Sequence, residues 1–180
     1  PIPDCQLARP GINQTAHSVL GWINSQKLNP SDLKSLVVRG NRKGETIACL
    51  FVTDQVEVPE FNLPEGCQGL VVYYSRPEHP SSSADLLLFV QGKVELQEKI
   101  NGVNLSYGVM SFFQVNESIF EQALKDISTH ISPNEKILDF YSGVGSIGLG
   151  LASSVNSVTL VEADEEAAKF AAQNIESNST

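Results

Sequence analysis

The stretch Ile137-Leu-Asp-Phe-Tyr-Ser-Gly-Val-Gly-Ser-Ile-Gly148 decides the fold of this chain. It opens with the end of an apolar strand, and its glycines then follow the spacing G-x-G-x-x-G. Glycines at a strand-to-helix turn let the backbone approach a ligand closely. The stretch therefore predicts a strand, a ligand-binding turn and a helix, in that order.

Strands and helices alternate around this turn. The apolar pattern predicts strands at 136–140 and 157–161 and helices at 147–153 and 165–177. A helix before them has Ser118 and Glu121 at the spacing of a capping box. One face of that helix carries Ile119, Phe120, Ala123, Leu124, Ile127 and Ile131. This alternation with short links indicates βαβ units and a parallel sheet.

The first 110 residues have a different pattern, with a helix followed by several strands. Helical spacing of Ile12, Ala16, Val19, Leu20 and Ile23 predicts a helix over 11–28. A hairpin is expected from 36–38 and 47–52, then a loop with a short helix over 53–66. Further strands are predicted at 69–74, 85–90, 94–100 and 103–107, the last two joined by the tight-turn dipeptide Asn101-Gly102.

Composition places the chain among ordinary globular proteins and limits its partners. Its 180 residues are 41% apolar and 18% charged, with a net charge of −9. That charge argues against a stand-alone nucleic-acid binder, and the basic cluster at 39–43 is interpreted as a solvated hairpin turn rather than an RNA contact. No apolar run approaches the ~20 residues that cross a bilayer, so we expect no membrane partner. Three unclustered cysteines indicate a reducing, cytoplasmic setting.

Two acidic residues narrow the choice of ligand for the glycine turn. Glu162 ends the second strand, where a carboxylate can accept hydrogen bonds from both ribose hydroxyls of a nicotinamide dinucleotide or of S-adenosylmethionine. Asp139 lies four positions before the first glycine, a spacing typical of methyltransferases. A carboxylate there is favourable beside a sulfonium and an ammonium group but repulsive beside a pyrophosphate. The turn thus favours S-adenosylmethionine over a dinucleotide, and a turn that binds nothing is the remaining interpretation.

Three motifs in order resemble the RNA uracil-5 methyltransferases. They are Ser111-Phe-Phe-Gln-Val-Asn116, Ile137-Leu-Asp-Phe-Tyr-Ser-Gly-Val-Gly145 and Leu160-Val-Glu162. That family has an FFQVN segment before its cofactor domain, a DLYCGVG-type turn and a GVE at the second strand. The resemblance implies an α/β fold: an α+β central domain over 1–110, with a mixed or antiparallel sheet and flanking helices, then over 111–180 the start of a class I, Rossmann-like methyltransferase sheet, truncated.

The resemblance also implies a cofactor site. Gln114, Tyr141 and Glu162 are expected to contact S-adenosylmethionine, with Asp139, Gly143 and Gly145 completing the site. From the residues alone, Gln114 could instead bond its own backbone at a helix entry, and Tyr141 could be a core aromatic residue. Ser142 departs from the commoner Cys of the family's turn.

The expected activity is S-adenosylmethionine-dependent methylation of C5 of uracil in RNA. Family members attack C6 with a cysteine thiolate and later remove the C5 proton with a carboxylate base. All three cysteines here precede the glycine turn, so we predict no catalytic residue in this chain and no activity from it alone. The alternatives are a non-catalytic RNA-processing or interaction module on a degenerate methyltransferase half, and a piece of a nicotinamide-dinucleotide oxidoreductase.

The surroundings of Cys5 resemble the last of four cysteines that hold an iron–sulfur cluster in the ribosomal branch of the family. One cysteine cannot hold a cluster, so no metal site is predicted in this chain, and a cluster is considered only for a full-length parent. The resemblance favours ribosomal over transfer RNA as the parent's partner. The unpaired edge of an unfinished sheet also predicts self-association.

Overall fold

The computed structural model describes residues 4–26, 28–55 and 57–178. The chain divides into two compact units, Pro1–Leu96 and Gln97–Thr180. The domain boundary predicted between residues 110 and 111 lies within the second unit and stays a prediction. Within the described residues, no helix is long and apolar enough to cross a membrane.

The first unit is a four-stranded mixed sheet with a helix packed on it. Its elements are α1 (Pro10–Ser25), a short 3-10 helix (Pro30–Asp32), β1 (Leu33–Gly40), β2 (Thr46–Val52), β3 (Cys67–Tyr74) and β4 (Leu86–Gly92). The strand order is β1-β2-β3-β4, with β2 and β3 parallel and both outer pairs antiparallel. The predicted first helix and the hairpin after it are confirmed.

Two details of the first unit differ from the sequence predictions. The short helix expected within 53–66 is wrong for the residues described there, 53–55 and 57–66, which form an irregular crossover between the parallel strands. Leu20 shares helical spacing with the core residues of α1, yet it is 53% exposed. Trp22 takes the inward position instead and packs against Phe61, with ring centroids 5.3 Å apart.

The core of the first unit lies between α1 and the sheet. Every residue of β2 is buried, as are the central residues of β3. Continuous apolar runs of this kind are typical of strands that are covered on both faces. One core cluster comprises Val19, Trp22, Ile23, Ala48, Leu50, Val52, Phe61, Leu70 and Val72.

The second unit contains a hairpin, a two-stranded parallel sheet and three helices. Its elements are β5 (Glu95–Ile100), β6 (Val103–Gly108), α2 (Glu117–Thr129), β7 (Lys136–Phe140), α3 (Ser146–Leu151), a 3-10 turn (Ala152–Ser154), β8 (Ser157–Val161) and α4 (Glu165–Asn178). The boundary between the two compact units falls within β5, so only the last four residues of this strand belong to the second unit. Asn101 and Gly102 both have positive φ, as the predicted two-residue turn requires. The predicted parallel pairing is confirmed, with Ile137 opposite Val158 and Asp139 opposite Leu160.

The capping box predicted at Ser118 and Glu121 is wrong. The helix begins two residues earlier than that box would place it, and the side chain of Asn116 caps it by accepting a hydrogen bond from Ile119 N at 3.2 Å. Glu121 instead accepts from the backbone N–H of Asn101 at 3.2 Å, which fixes the hairpin turn to α2. The apolar face of α2 is also only partly used, since Phe120 and Leu124 are buried while Ile119 is exposed.

The two faces of the β7–β8 sheet have different surroundings. One face is half-buried and carries Ile137, Asp139, Val158 and Leu160, the alternate residues of the two strands. A Cβ on Gly148 would lie 2.4 Å from Leu160 Cδ2, so α3 packs tightly against this face. On the other face, Leu138, Phe140 and Val161 are exposed.

Candidate functional site

The glycine turn connects β7 to α3 through three left-handed residues. Tyr141, Gly143 and Gly145 have φ of 58°, 56° and 85°. The turn is held by two backbone bonds, from Ser142 N to Val161 O at 3.1 Å and from Gly145 N to Ser142 O at 2.8 Å. A Cβ on Gly145 would meet Leu160 Cδ1 at 2.9 Å, whereas a Cβ on Gly143 would meet open space. Gly145 is thus required by conformation and packing, and Gly143 leaves the backbone open to a ligand.

Glu162 holds the turn from the end of β8. Its Oε2 accepts a hydrogen bond from Gly143 N at 2.7 Å, and its Oε1 accepts from Ala163 N at 2.7 Å and Asp164 N at 2.9 Å. The backbone N–H groups of Asp164 and Gly143 chiefly hold the pKa of this carboxyl below its ordinary value. Glu162 is therefore an anionic group that fixes the two sides of the site together.

These bonds limit what else Glu162 can accept. A carboxylate offers about four acceptor positions on its two oxygens, and three are occupied by backbone N–H groups. About one position remains for a ligand. The prediction that Glu162 accepts from both ribose hydroxyls therefore has room for one conventional hydrogen bond.

Asp139 lies beneath the turn, on the half-buried face of β7. Its Oδ2 accepts from Gly148 N at 2.9 Å, one of the free N–H groups in the first turn of α3. Burial raises the pKa of this carboxyl above its ordinary value, and the bond from Gly148 opposes the rise. Asp139 thus anchors α3 as well as adding negative potential beneath the turn.

The two remaining predicted contacts lie in different surroundings. Tyr141 is 92% exposed, so its interpretation as a core aromatic residue is wrong, and its ring is open to a ligand. Gln114 lies half-buried between Phe113, whose ring stacks on Tyr107 at 4.1 Å, and the α2 cap. The side-chain cap of α2 comes from Asn116 rather than from Gln114. The structure records no hydrogen bond between Gln114 and the turn within the described residues, so its place in the site stays a prediction.

Sequence reasoning missed several residues that shape the turn. Asp164 caps α4, its Oδ1 accepting from Ala167 N at 2.8 Å. Asn174, on the same helix, donates to Val144 O within the turn at 2.9 Å. The Oγ of Ser142 is buried without a hydrogen-bond partner among the described residues. An Asp just before a helix is a sequence signal for the cap. The bond from Asn174 and the burial of the Ser142 hydroxyl depend on tertiary packing and have no such signal.

The cysteine thiols differ in their access to solvent. Cys5 is exposed, while Cys49 and Cys67 are buried in the first unit. Burial raises the pKa of Cys49 to about 12 and also raises that of Cys67, so both are poor sources of thiolate. No group of three or more His, Cys, Asp or Glu among the described residues could hold a metal ion.

A parallel α/β sheet that opens with this turn and has a carboxylate at the end of the next strand is the arrangement expected of a methyltransferase fold. Comparison with solved structures agrees. The structure of a tRNA (uracil-54, C5)-methyltransferase from Pyrococcus abyssi, in complex with S-adenosyl-L-homocysteine, superposes with a TM-score of 0.78 at 24% identity, covering 98% of this chain and 46% of that one.

Curated relatives lead to the same group of proteins. An uncharacterised RNA methyltransferase of Mycoplasma mobile is 39% identical over 88 residues, covering 49% of this chain and 24% of the relative. The tRNA (uracil(54)-C(5))-methyltransferase of Pyrococcus abyssi is 29% identical over 184 residues, covering 98% of this chain and 45% of the relative. No family model matches the chain. The resemblance to RNA uracil-5 methyltransferases is confirmed by these relatives, of which the chain spans less than half the length.

Proposed function

We propose that this chain carries the cofactor-binding turn of an S-adenosylmethionine-dependent RNA methyltransferase that acts on C5 of uracil. The observation that carries the proposal is the turn itself, with an open backbone at Gly143 and a carboxylate, Glu162, locked across it. Asp139 and Gly145 shape the turn from below, and Tyr141 offers an exposed ring beside it. When bound, S-adenosylmethionine would supply the methyl group.

The charge of this region supports a cationic ligand. Between residues 134 and 178 the sequence has seven carboxylates and two lysines. Two of the carboxylates, Asp139 and Glu162, bond directly to the turn or to the helix that follows it. A sulfonium and an ammonium group gain favourable Coulomb energy beside these charges, whereas a pyrophosphate is repelled. This contrast supports S-adenosylmethionine over a nicotinamide dinucleotide.

The RNA substrate is inferred from the relatives, and the part of the reaction that this chain performs is inferred from its cysteines. The Pyrococcus relative is named as a tRNA uracil-54 enzyme, whereas the surroundings of Cys5 favour ribosomal RNA, so both RNAs belong in the test. Burial raises the pKa of the Cys49 and Cys67 thiols, which disfavours their thiolate forms. This chain is therefore proposed to bind the cofactor and to leave thiolate attack on uracil C6 to the rest of a longer protein, in a cytoplasmic setting.

Calorimetry with S-adenosylhomocysteine tests the cofactor proposal. Glu162→Ala removes the remaining ligand acceptor and the lock on Gly143. One charge-assisted hydrogen bond is worth about 1.5–3 kcal/mol, so affinity should fall at least about tenfold. Glu165→Ala is the matched control, because this exposed carboxylate lies three residues further on in the first turn of α4. Preferential binding of NAD⁺, or no binding of either compound, would contradict the proposal.

Transfer of labelled methyl groups tests the proposed reaction. The chain alone, offered unmodified ribosomal RNA and transfer RNA, should incorporate no label, while a longer protein that contains it should methylate uracil C5 in one of them. Methylation by the chain alone, abolished by Cys5→Ser, would contradict the assignment of the nucleophile elsewhere. No transfer by the longer protein would favour a non-catalytic RNA-interaction module.

A further inference from the structure

The side chain of Asn174, on α4, makes three hydrogen bonds near the glycine turn. It is buried, and its Nδ2 donates both to Val144 O at 2.9 Å and to Ser106 O at 3.0 Å. Its Oδ1 accepts from Ser106 N at 2.7 Å. Both N–H groups of the amide are thus used, one toward the turn and one toward β6. A single side chain connects the hairpin strand with the backbone of the candidate site.

Asn178, one helical turn later, repeats half of this arrangement. Its Oδ1 accepts from Asn104 N at 2.9 Å, and its Nδ2 donates to Asn104 O and, within the helix, to Asn174 O, both at 2.7 Å. Four helix residues rise about 6 Å and two strand residues about 6.7 Å. The two asparagines therefore stay in register with alternate residues of β6, and their amides satisfy the N–H and C=O groups that a neighbouring strand would otherwise pair.

Close packing holds this register. A Cβ on Gly108 would lie 2.4 Å from Glu166 Oε1 and 3.0 Å from the ring of Phe170. Residues 166, 170, 174 and 178 thus form one stripe along α4 that follows β6 from Gly108 to Asn104. Since Gly108 leaves no room for a side chain, the helix has little freedom to slide, and Asn174 has a fixed position.

Only Asn174 also reaches the glycine turn. The Val144–Gly145 peptide lies between two left-handed glycines, where backbone freedom is greatest. Its carbonyl accepts from Asn174, and its N–H donates to Ser142 O at 2.8 Å. The peptide is therefore fixed at both ends, next to Gly143, whose N–H is held by Glu162.

We propose that Asn174 is a positioning residue for the ligand-binding turn: its amide fixes the Val144 carbonyl and so holds the Gly143–Gly145 backbone in the conformation that receives S-adenosylmethionine. The inference rests on the proposed function for its ligand. A turn that adopts the competent conformation only a fraction of the time binds with affinity reduced by that fraction.

The pair Asn174→Asp and Asn178→Asp tests the inference. Each variant keeps an oxygen that can accept from β6 and replaces the donating –NH₂ with a carboxylate oxygen. Only the change at 174 also sets that oxygen against Val144 O. We expect the affinity for S-adenosylhomocysteine to fall at least about tenfold in Asn174→Asp and to change less than about twofold in Asn178→Asp.

A spectroscopic readout separates positioning from general destabilisation. The amide resonance of Gly145 belongs to the peptide whose carbonyl Asn174 binds, so it should shift in Asn174→Asp and not in Asn178→Asp. Acidification should partly restore it, because a protonated carboxyl can donate again to one carbonyl. Should Asn174→Asp fail to fold, Asn174→Ser, smaller and uncharged, takes its place in both measurements.

The outcomes distinguish this inference from the function on which it rests. Equal affinities of the two variants, or an unmoved Gly145 amide in a folded Asn174 variant, would overturn the positioning role. If the unaltered chain binds no S-adenosylhomocysteine, the proposed function fails, and the ligand part of the inference fails with it. The Gly145 resonance would then still decide whether Asn174 holds the turn.

Discussion

Among the described residues two strand pairs are parallel, β2–β3 and β7–β8, and their surroundings are very different. In the first unit, antiparallel strands flank β2–β3 on both edges, and all of β2 is buried. In the second unit, β7–β8 forms a two-stranded sheet within the described residues, and Leu138 on its open face is 53% exposed. Both pairs are parallel, so the difference in burial comes from the neighbours of each pair.

The difference in burial between the two strand pairs predicts a difference in stability between the two units. Leu70 of β3 is fully buried, while Leu138 and Phe140 of β7 lie beside the candidate turn with much of their surface in water. Burial of apolar surface stabilises by about 25 cal/mol per Å². The first unit should therefore be the more stable of the two, and polar contacts should contribute a larger share in the second.

Matched leucine truncations should show the largest effect. Leu70→Ala removes a fully buried side chain and should lower the free energy of unfolding by about 2–5 kcal/mol. Leu138→Ala removes one that is half in water and should cost less than about 1 kcal/mol. Urea unfolding followed by circular dichroism measures both, and the fluorescence of Trp22, the chain's one tryptophan, reports on the first unit. Similar losses would mean that Leu138 is buried in solution, by self-association or otherwise, and a dilution series would separate those cases.

Hydrogen exchange should reveal the same contrast without mutation. We expect the hydrogen-bonded amides of β8 to exchange at least about tenfold faster than those of β2, a difference of about 1.4 kcal/mol in local opening. The comparison uses only amides with a strand partner, because β8 pairs along one edge only within the described residues. Equal protection in a dilute monomer would contradict the view that the β7–β8 sheet is the less stable pair.

The sequence predicted elements well where local chemistry determines them. The predicted bounds 136–140 and 157–161 are those of the two parallel strands. Each strand is a short apolar run between polar turns, so the sequence leaves little choice of where the strand begins and ends. The left-handed conformations at Asn101 and Gly102 likewise follow from their residue types. The positive φ of Gly143 and Gly145 follows in the same way, so the candidate turn was predictable from the sequence.

Predictions failed where a tertiary contact outweighed a local one. Ser118 and Glu121 have the spacing of a capping box, but Asn116 is the better cap and Glu121 bonds to the hairpin turn instead. No periodicity reveals that Asn174 reaches back to Val144, because the two residues are 30 positions apart. The sequence also does not show that Glu162 accepts from the backbone N–H of Gly143, because these residues are 19 positions apart.

Ser142 offers a way to strengthen the second unit. Its hydroxyl is buried and lacks a hydrogen-bond partner among the described residues. An unsatisfied buried hydroxyl costs about 1–3 kcal/mol, and a thiol tolerates apolar surroundings better. Ser142→Cys should therefore raise the stability of the second unit by about 1 kcal/mol, measured by exchange of the Leu149 amide, which bonds to Gly145 O. Because its oxygen is inaccessible, S-adenosylhomocysteine affinity should stay within about twofold, and a larger loss would place Ser142 in contact with the ligand.

The smallest expected effect comes from two aspartates, one in each unit, whose pKa values shift in opposite directions. Asp85 accepts from Arg76 N at 2.9 Å, and this bond chiefly lowers the pKa of its carboxyl, with His79 also contributing. Its stabilisation is present above the unfolded-state pKa and is lost as pH falls through the lowered folded-state value. Burial raises the pKa of Asp139, so its ionised form is disfavoured on folding, and stability declines as pH rises through the raised value.

The amide variants of these aspartates should therefore respond differently at pH 7. Asp85→Asn should lower the urea midpoint of the first unit, because it removes a charge that folding favours. Asp139→Asn should leave protection of the Leu149 amide unchanged or slightly higher, because the amide oxygen can still accept from Gly148 N while the disfavoured charge is gone. Below both folded-state pKa values each variant should match its parent more closely, since the carboxyls are then neutral. A clear loss of Leu149 protection in Asp139→Asn at pH 7 would show that the charge of Asp139 stabilises α3. Polar contacts would then contribute more to the stability of the second unit than the comparison of the two sheets implies.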